Sequence, residues 1–398
     1  MSALRAAAAP GEDARSARWT EPSPRVAIIH YWLVGMRGGE RVLEQLCALF
    51  PQADLFTHVC APESLSPALR RHRVTETFIA RLPQARTRYR SYLGLMPRAL
   101  EELDLSGYDL VLSSESGPAK GVIAPPEAPH LCYCHTPMRY LWDQYPAYKA
   151  GLGPIGRAAF SHVAARMRIW DAVSARRPDR IVANSRFVAA RVRRFWEREA
   201  SVVHPPVDLE TYRPSPAPGP EAPYLFLSEL VPYKRADLAV EACGRLGRPL
   251  RVVGSGPEAE RLKRAAPSGV EFLGRVADAD MPGLYRDCRA LLFPAMEDFG
   301  IVPLEAMASG RAAIAYGRGG ALDTVRDGET GVLFGTQSAE ALAAAIERFE
   351  AEVEPGLDPA VPAAQAARFS PEAFRAGIWR EIRETAPQLG LPEAPPSV

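Results

Sequence analysis

Short apolar runs that alternate with helical patterns constrain the fold of this chain more than any other feature. In the first half, the runs include RVAIIH (25–30), YDLVLSSES (108–116) and HLCYCH (130–135), and helical patterns such as RVLEQLCALF (41–50) lie between them. Most runs are continuous rather than alternating, which is typical of strands buried on both faces and therefore of parallel sheets. The sequence therefore predicts a doubly wound α/β fold.

A proline-rich segment divides the chain into two halves with the same pattern. The segment YRPSPAPGPEAP (212–223) contains five prolines and is predicted to be a linker. The strand pattern resumes after it with YLFLSEL, LRVVGSG, VEFLGRV, ALLFPAM, AAIAYGRG and GVLFG. A chain of 398 residues is expected to form two domains. We predict Rossmann-like domains at 25–215 and 216–369 that face each other across a cleft, with ligands at the carboxyl ends of the strands.

The two ends of the chain are predicted to differ from the domains. Residues 1–24 lack the apolar core of a signal peptide and are predicted to be a disordered tail, and residues 389–398 are predicted to be a proline-rich tail. Just before the C-terminal tail, residues 370–388 are predicted to contain an amphipathic helix that returns to the N-terminal domain. Its apolar positions at helical spacing are Phe374, Ile378 and Ile382.

Composition and charge exclude several classes of protein. A hydrophobic content of 47% excludes a disordered chain, and the sequence contains no apolar run long enough to span a membrane. The net charge is +1, but residues 1–215 carry 29 Lys and Arg against 21 Asp and Glu, whereas residues 216–398 carry 19 against 26. This asymmetry predicts different partners for the two halves.

The six cysteines are scattered and show no metal-binding spacing. Cys132 and Cys134 lie on one face of a predicted strand. We interpret them as small buried hydrophobic residues rather than as a metal pair. This cysteine usage is typical of a reducing cytosol.

Three glycine-containing loops follow predicted strands and could hold a phosphate group. They are GMRGGE (35–40), GSGPE (254–258) and GRGGALD (317–323). The first leads into a predicted helix, whose N-terminal amides favour an anion. Pro257 and Glu258 interrupt the dinucleotide fingerprint in the second, which disfavours a nicotinamide cofactor. Each loop alone is more often a tight turn, but three at one cleft favour an anionic ligand.

Two adjacent cations, Lys234 and Arg235, precede a predicted helix in SELVPYKRADLAVEA (228–242). The helix dipole favours anions at that end, so a solvated cation pair is unfavourable there. We interpret the pair as a clamp for a phosphate group. The acids of DAD (278–280) resemble a metal-binding pattern, but they precede a helical pattern and are interpreted as caps. No metal site is predicted.

Two acids, Glu297 and Glu305, lie eight positions apart where a strand gives way to a helix. The segment EDFGIVPLE (297–305) resembles the E-x7-E element of glycosyltransferase family 4, the retaining transferases with the GT-B fold. Further segments occur in the family's order and spacing over about residues 25–345, namely VGMRGGERVLEQL, YCHTPMRYLWD, ANSRFVAARVRRF, VVHPPVDLETY, LVPYKRADLAVEA and DGETGVLF. Within the family, the chain is most similar to bacterial mannosyltransferases that build O-antigen and exopolysaccharide units.

The resemblance implies a nucleotide-sugar in the cleft and neither a cofactor nor a metal. It implies that Glu297 binds hydroxyl groups of the donor sugar, Glu305 holds the ribose and Lys234 neutralises the diphosphate, while His135 lies beside the sugar. The implied catalytic residues are Glu297, His135 and Lys234. The implied donor-binding residues are Gly38, Gly39, Lys234, Arg235, Gly254, Arg275, Val276, Glu297, Phe299, Gly300, Ile301, Val302 and Glu305.

One position departs from the family pattern. Many members carry an arginine five or six positions before the clamp lysine, as a second ligand of the diphosphate. Here that region contains Glu229, and a carboxylate cannot bind a diphosphate directly. We therefore expect Lys234 and Arg235 to share the clamp, with Glu229 orienting one of them as the alternative.

The acceptor is expected to meet the N-terminal domain. Residues 69–98 hold eight arginines and one glutamate, interleaved with aromatic and aliphatic residues. They are interpreted either as a solvated pair of basic helices or as a surface that docks on an anionic membrane carrying a polyprenyl-diphosphate-linked glycan. The near-neutral chain has no nucleic-acid recognition motif, which disfavours a nucleic-acid partner.

The function implied by the resemblance is the transfer of mannose from GDP-mannose to such an acceptor, with retention of configuration. The protein would be cytoplasmic and peripheral on the inner face of the cytoplasmic membrane. A UDP-hexose or another nucleotide-sugar as donor, a GT-B sugar-nucleotide epimerase and a catalytically silent binding module remain alternatives. A pyridoxal-phosphate phosphorylase is disfavoured because the chain is short for that architecture.

Overall fold

Each half of the chain forms one parallel sheet with helices packed on it. The structure is a computed structural model that describes residues 23–396. The tail predicted at 1–24 therefore lies almost wholly outside the described residues, and the last two residues of the C-terminal tail do too.

The N-terminal sheet has seven strands in the order β3-β2-β1-β4-β5-β6-β7. The strands are β1 (Val26–His30), β2 (Asp54–Thr57), β3 (Val74–Glu76), β4 (Leu110–Glu115), β5 (His130–Cys134), β6 (Arg180–Ala183) and β7 (Ser201–Val202). The α-helices of this domain are α1 (Gly38–Leu49), α2 (Ala85–Arg88), α3 (Met96–Glu101), α4 (Tyr145–Ala150), α5 (Pro154–Ser174) and α6 (Arg186–Trp196).

The C-terminal sheet has six strands in the order β10-β9-β8-β11-β12-β13. They are β8 (Tyr224–Leu227), β9 (Leu250–Val253), β10 (Val270–Gly274), β11 (Ala290–Phe293), β12 (Ala312–Tyr316) and β13 (Gly331–Phe334). The helices are α7 (Ala236–Leu246), α8 (Ala259–Ala265), α9 (Met281–Asp287), α10 (Ile301–Ala308), α11 (Ala321–Thr324), α12 (Ala339–Arg348), α13 (Ala360–Ala367) and α14 (Pro371–Thr385).

All of these strand pairs are parallel, which confirms the predicted fold class. Strands β1, β4 and β5 are buried along their whole length, as the absence of alternation between apolar and polar residues predicts. The strand order reverses beside β1 in one sheet and beside β8 in the other. Loops that leave the carboxyl ends of the strands at these two points line a crevice, which is where such sheets bind ligands.

The pair of basic helices considered for residues 69–98 is wrong. The segment contains the short edge strand β3, the short helices α2 and α3, and a 3-10 turn at Tyr89–Leu95. Prolines at 83 and 97 prevent a long helix across the segment. Ile79 and Tyr89 are buried in an apolar cluster, whereas all eight arginines are exposed.

The linker (212–223) contains neither a helix nor a strand, but it is fastened to the C-terminal domain. The side chain of Arg311 is only 2% exposed. Its guanidinium donates to the backbone carbonyls of Ser215, at 2.9 Å, and Pro216, at 2.7 Å, and to the Ser215 hydroxyl at 2.7 Å. A buried guanidinium requires such partners, so this residue holds the chain where it passes between the domains.

Helix α14 packs on the N-terminal domain although it follows the C-terminal one. Its apolar face joins the core around α1 and the first sheet. Phe374 meets Tyr133 edge to face, with ring centroids 5.4 Å apart, and the Trp379 and Phe50 rings lie 5.8 Å apart. The Arg180 Nε atom lies 2.7 Å from the Glu381 carboxylate. The helix therefore straps the two domains together.

We expect the substitution Trp379→Ala to loosen this strap. Removal of a fully buried indole should lower the free energy of unfolding by about 3–5 kcal/mol, measured by chemical denaturation with far-UV circular dichroism. Arg380→Ala, at an exposed position on the same helix, is the matched control and should change it little. An equally small effect of both substitutions would contradict the strap.

Candidate functional site

The segment between β11 and α10, residues 294–300, forms a turn at the C-terminal crevice and is called the acid loop here. Gly300 precedes α10 as its N-cap residue, with φ +81°, and a Cβ atom there would lie 2.9 Å from the Phe293 ring. Only glycine fits this left-handed position without strain. The Gly320 N–H group donates to the Glu297 carbonyl at 2.9 Å, and Cβ atoms at Gly319 and Gly320 would collide with the acid loop. The 317–323 loop thus packs directly against the backbone of the acid loop and supports it.

The structure brings Lys234 and Glu297 together in the crevice. The Lys234 Nζ atom lies 2.5 Å from the Glu297 Oε1 atom, and the two side chains are only 15% and 20% exposed. Lys234 ends a 3-10 turn, Pro232–Lys234, that follows β8. The residue predicted to neutralise a diphosphate and the residue predicted to hold a sugar are therefore paired with each other.

Arg235 does not join this pair. Its backbone is left-handed, with φ +56°, a conformation that costs a residue other than glycine roughly 1–2 kcal/mol. Its guanidinium lies 3.0 Å from the Asp237 carboxylate on the first turn of α7. The two cations expected to share a clamp thus have different partners. Glu229 is exposed in the same β8 loop.

Glu305 lies on α10, and its Oε2 atom accepts a hydrogen bond from the Tyr285 hydroxyl at 2.7 Å. Burial raises the pKa of this carboxyl, although the bond from Tyr285 opposes the shift. Phe299 is buried and stacks on the His204 ring at 5.5 Å. Ile301 and Val302 are half-buried in the first turn of α10.

The remaining predicted donor-binding residues of the C-terminal domain occupy the loops after β9 and β10. Gly254 has φ +132°, and a Cβ atom there would collide with the Ser228 carbonyl, so this glycine permits the β9 loop to pack on the β8 loop. Arg275 is exposed and Val276 is half-buried after β10.

The acids Asp278 and Asp280 do not cap α9 with their side chains. They form a 3-10 turn in which no side-chain cap bond is made. Asp280 nevertheless occupies the N-cap position of α9, as predicted, whereas Asp278 begins the preceding 3-10 turn. Asp278 instead faces the N-terminal domain, where its Oδ2 atom lies 3.4 Å from the Arg41 guanidinium.

A series of polar groups, buried except for the partly buried His135, crosses the carboxyl ends of the N-terminal strands. Glu40 Oε1 lies 3.7 Å from His30 Nε2, His30 Nδ1 lies 3.0 Å from the Ser114 hydroxyl, and that hydroxyl lies 2.9 Å from His135 Nε2. Burial, followed by the charge of His30, lowers the pKa of His135 to about 3. His135 is therefore a neutral imidazole at pH 7. A sequence signal that could have indicated this set of contacts is the polar residue at or next to the end of each strand, namely His30, Ser114 and His135.

The glycine loop after β1 opens toward the same edge of the sheet. Gly38 begins α1, and a Cβ atom there would have no neighbour within 4 Å. Gly39 packs against the Tyr31 hydroxyl, where a Cβ atom would collide. The Glu40 carboxylate accepts from the Arg37 N–H group at 3.0 Å, which orients the first turn of the helix. A phosphate oxygen could thus approach this end of α1 at Gly38.

The acid loop also contacts the N-terminal domain through Asp298. The Arg139 guanidinium lies 2.5 Å from Asp298 Oδ2, and that of Arg191 lies 3.6 Å from Oδ1. The Ser185 hydroxyl donates to the Asp298 carbonyl at 2.5 Å. Nearby, the Arg186 N–H group donates to the Asp323 carboxylate at 2.8 Å. No role was predicted for these residues from the sequence, because their partners lie in the other domain.

Within residues 23–396, no cluster of His, Cys, Asp or Glu side chains could hold a metal ion. All six cysteines are free and buried, and Cys132 and Cys134 share one apolar cluster. The described part of the chain has no helix that is long and apolar enough to cross a membrane.

Two family profiles match the chain, and they meet just before the linker. The profile "Glycosyltransferase Family 4" matches residues 36–211, and the profile "Glycosyl transferases group 1" matches residues 210–356. The first covers most of the N-terminal domain and the second most of the C-terminal domain.

Solved structures share the fold over almost the whole chain. The structure of HepE from Anabaena in complex with UDP-glucose matches with a TM-score of 0.66 at 18% identity, over 90% of this chain and 99% of that one. Sucrose-phosphate synthase from Thermosynechococcus elongatus matches with a TM-score of 0.68 at 18% identity, over 90% and 98%. These likenesses, with the two profiles, confirm the GT-B fold.

A more similar sequence covers a smaller region. The D-inositol 3-phosphate glycosyltransferase of Mycobacterium tuberculosis is 32% identical over 155 residues, which is 33% of this chain and 32% of that protein. The chain thus spans about a third of the length of the curated relatives that it matches.

The buried histidines predict a loss of stability in mild acid. Burial lowers the pKa of His58 and His130 from 6.5 to about 3, so as the pH falls below about 6.5 the unfolded chain binds protons that the folded protein does not. Each such histidine should remove up to about 1.4 kcal/mol of the free energy of unfolding per pH unit. His58→Gln should reduce this dependence between pH 6.5 and 5, measured by urea denaturation.

His162, which is exposed on α5, provides the matched control for His58. His162→Gln should leave the dependence of stability on pH unchanged. The assignment to buried histidines fails if His58→Gln shows the same pH dependence as the unsubstituted protein.

Proposed function

Because the chain joins a glycosyltransferase family 4 domain to a glycosyl transferases group 1 domain on the GT-B fold, we propose that it is a retaining hexosyltransferase. The proposed reaction transfers a hexose, namely mannose from GDP-mannose, to a polyprenyl-diphosphate-linked glycan in O-antigen or exopolysaccharide synthesis. The pairing of Lys234 with Glu297 at the crevice carries this proposal.

The ion pair offers both halves of a donor site. When a nucleotide-sugar binds, the sugar hydroxyl groups donate hydrogen bonds to Glu297, and Lys234 donates a charge-assisted hydrogen bond to the diphosphate. The charge that develops on the leaving phosphate is then stabilised by a cation and by the amides at the start of α10. Glu305, held by Tyr285, takes the ribose hydroxyls.

The two acids do not act as the carboxylate pair of a glycosidase. Glu297 faces Lys234 and Glu305 faces Tyr285, so they do not flank one scissile bond. In the transfer, the bond from the sugar C1 to the phosphate oxygen breaks and the oxygen keeps the electron pair. The acceptor hydroxyl bonds to C1 and its proton passes to the leaving phosphate. Neutral His135 supports this step as a hydrogen-bond partner rather than as a charge.

The donor has two candidates. The sequence resemblance to mannosyltransferases supports GDP-mannose, and the Anabaena HepE complex supports a UDP-hexose because that protein binds UDP-glucose. A sugar-nucleotide epimerase is less well supported, because it needs no polymer acceptor and would not require a basic N-terminal surface.

A thermal-unfolding panel tests the donor. At about 100 times Kd, a bound nucleotide adds about 2.7 kcal/mol to the free energy of unfolding and should raise Tm measurably. The panel contains GDP, UDP, ADP, GDP-mannose and UDP-glucose. A response to guanine nucleotides alone supports the mannose donor, and a response to uracil nucleotides alone replaces it with a UDP-hexose. If no nucleotide raises Tm, the transferase proposal is wrong.

Thermal unfolding and the rate of sugar transfer, measured on the same variant, test whether Glu297 binds the sugar. Glu297→Gln should still respond to the nucleoside diphosphate, but its turnover should fall about 100-fold because a contact that strengthens in the transition state is weakened. Glu260→Gln, an exposed change on α8, is the control and should keep full turnover. Turnover of Glu297→Gln equal to that of the control would refute the assignment.

Two neighbouring elements of the N-terminal domain support a membrane-bound acceptor. The eight arginines of residues 69–98 are exposed. Helix α5 is 21 residues long, so it spans about 30 Å, and it touches this segment where Val163 packs near Leu93. One side of α5 exposes Ile155, His162, Arg166, Ile169 and Val173 and carries no acid. Apolar and basic residues on one exposed face are typical of helices that lie on anionic membranes.

We therefore propose that the protein docks peripherally on the inner face of the cytoplasmic membrane. The combined change Arg86→Gln, Arg88→Gln and Arg90→Gln should weaken binding to anionic vesicles about 100-fold, since each cation near the surface contributes about 1 kcal/mol. Sedimentation with phosphatidylglycerol vesicles measures this.

Arg264→Gln, an exposed change on the C-terminal domain, is the control and should bind these vesicles normally. Raised salt should release the unsubstituted protein. Binding that ignores both salt and lipid charge would contradict the docking surface.

A further inference from the structure

The proposed donor site lacks a second cation on the C-terminal domain. Glu229 occupies the region in which the family resemblance leads us to expect an arginine, and the Arg235 guanidinium is engaged by Asp237. A diphosphate carries more charge than Lys234 alone can neutralise. The inference below rests on the proposed function, since it concerns the same nucleotide-sugar site.

Arg139 of the N-terminal domain lies beside the acid loop. Its guanidinium is 2.5 Å from Asp298, and Asp298 directly follows Glu297, whose carboxylate is 2.5 Å from Lys234 Nζ. Two consecutive carboxylates thus hold two cations that come from opposite domains. The cations approach one short turn at the carboxyl ends of both sheets, where ligands bind in this fold.

The surroundings of Arg139 point to a further anionic partner. Its side chain is only 16% exposed, and within the described residues its buried Nε atom has no hydrogen-bond partner. Burial lowers the pKa of Arg139, but the negative charges of Asp298 and Glu297 raise it by more than burial lowers it. The net effect is a raised pKa. A charged guanidinium with an unused donor is suited to bind two oxygens of an anion such as a phosphate.

The backbone around Arg139 is held firmly. Arg191 binds both oxygens of Asp143 at 2.8 Å and the Pro137 carbonyl at 3.2 Å. The indole of Trp142 donates to the buried Asp171 carboxylate at 2.8 Å. These contacts fix the 135–143 segment on both sides of Arg139, so the guanidinium is presented to the cleft by a rigid support rather than by a mobile loop.

A purely structural tie between the domains does not account for Arg139. Arg191 and Ser185 already contact Asp298 from the same domain, and Arg186 forms a separate tie to Asp323. These contacts hold the acid loop whether or not Arg139 is present. What Arg139 adds is a positive charge beside Glu297.

We propose that Arg139 is the second cation of the donor site and binds the β-phosphate of the nucleotide-sugar from across the cleft, opposite Lys234. The β-phosphate is the one that carries the sugar, and the sugar is held by the adjacent Glu297. Asp298 is the positioning residue that orients the guanidinium. The diphosphate then contacts Lys234 of one domain and Arg139 of the other, so donor binding stabilises the approach of the two domains. In this proposal, the second cation comes from the N-terminal domain rather than from the position near Glu229 in the C-terminal domain.

Calorimetric binding of nucleoside diphosphate and monophosphate tests this assignment. The base is the one that the thermal panel selects. Arg139→Gln should weaken diphosphate binding about 10- to 100-fold, the value of a charge-assisted contact, and leave monophosphate binding unchanged. Arg139→Lys, which keeps the charge, should recover part of the loss. A simple loosening of the domains would weaken both nucleotides alike.

Two matched variants separate the alternatives. Arg193→Gln removes an exposed guanidinium paired with Glu199 and should leave the preference for diphosphate unchanged. Arg235→Gln tests the rival clamp. If Arg235→Gln reduces that preference and Arg139→Gln does not, the inference is wrong, although the transferase proposal stands. An equal loss of both nucleotides in Arg139→Gln also overturns it. If the unsubstituted protein binds neither nucleotide, both proposals fail.

Discussion

Two neighbouring carboxylates, Glu297 and Asp298, are the constraint on which the arrangement of this molecule depends. One is neutralised by Lys234 from its own domain and the other by Arg139 from the opposite domain. The acid loop that carries them is shaped by the left-handed Gly300 and supported by the 317–323 loop. Because half-buried charges are costly without partners, the loop, the crevice and the approach of the two domains are energetically coupled.

The fold could be predicted from the sequence because burial on both faces leaves a direct trace. Strand β1 is a nearly continuous apolar run and β4 begins with one, and the two strands pair in parallel. Strand β3 was missed because it is a half-buried edge strand of three residues, too short for any apolar pattern. The arginines around it favoured helices, yet prolines at 83 and 97 and the inward packing of Ile79 decided the local structure.

The site could be predicted only in part. Lys234 and Glu297 lie in the loops that follow β8 and β11, which are adjacent strands of one sheet, so their proximity follows from topology. The separation of Arg235 from Lys234 depends on one left-handed residue, which no sequence pattern indicated. The roles of Asp298, Arg139 and Ser185 could not be found at all, because their contacts join motifs of different domains. Such contacts depend on how the domains face each other, which local periodicity does not encode.

Some of the opposite charges that distinguish the two halves pair with each other within the molecule. Among the described residues, every ion pair between the N-terminal domain and the later part of the chain joins an N-terminal arginine to a C-terminal carboxylate: Arg41 to Asp278, Arg139 and Arg191 to Asp298, Arg180 to Glu381 and Glu384, and Arg186 to Asp323. The asymmetry was expected to indicate different external partners. Part of it instead draws the two domains together, since complementary charge favours the matching of such surfaces. An anionic ligand in the cleft would be attracted by the same N-terminal arginines, because its negative charge would lie opposite them as these carboxylates do.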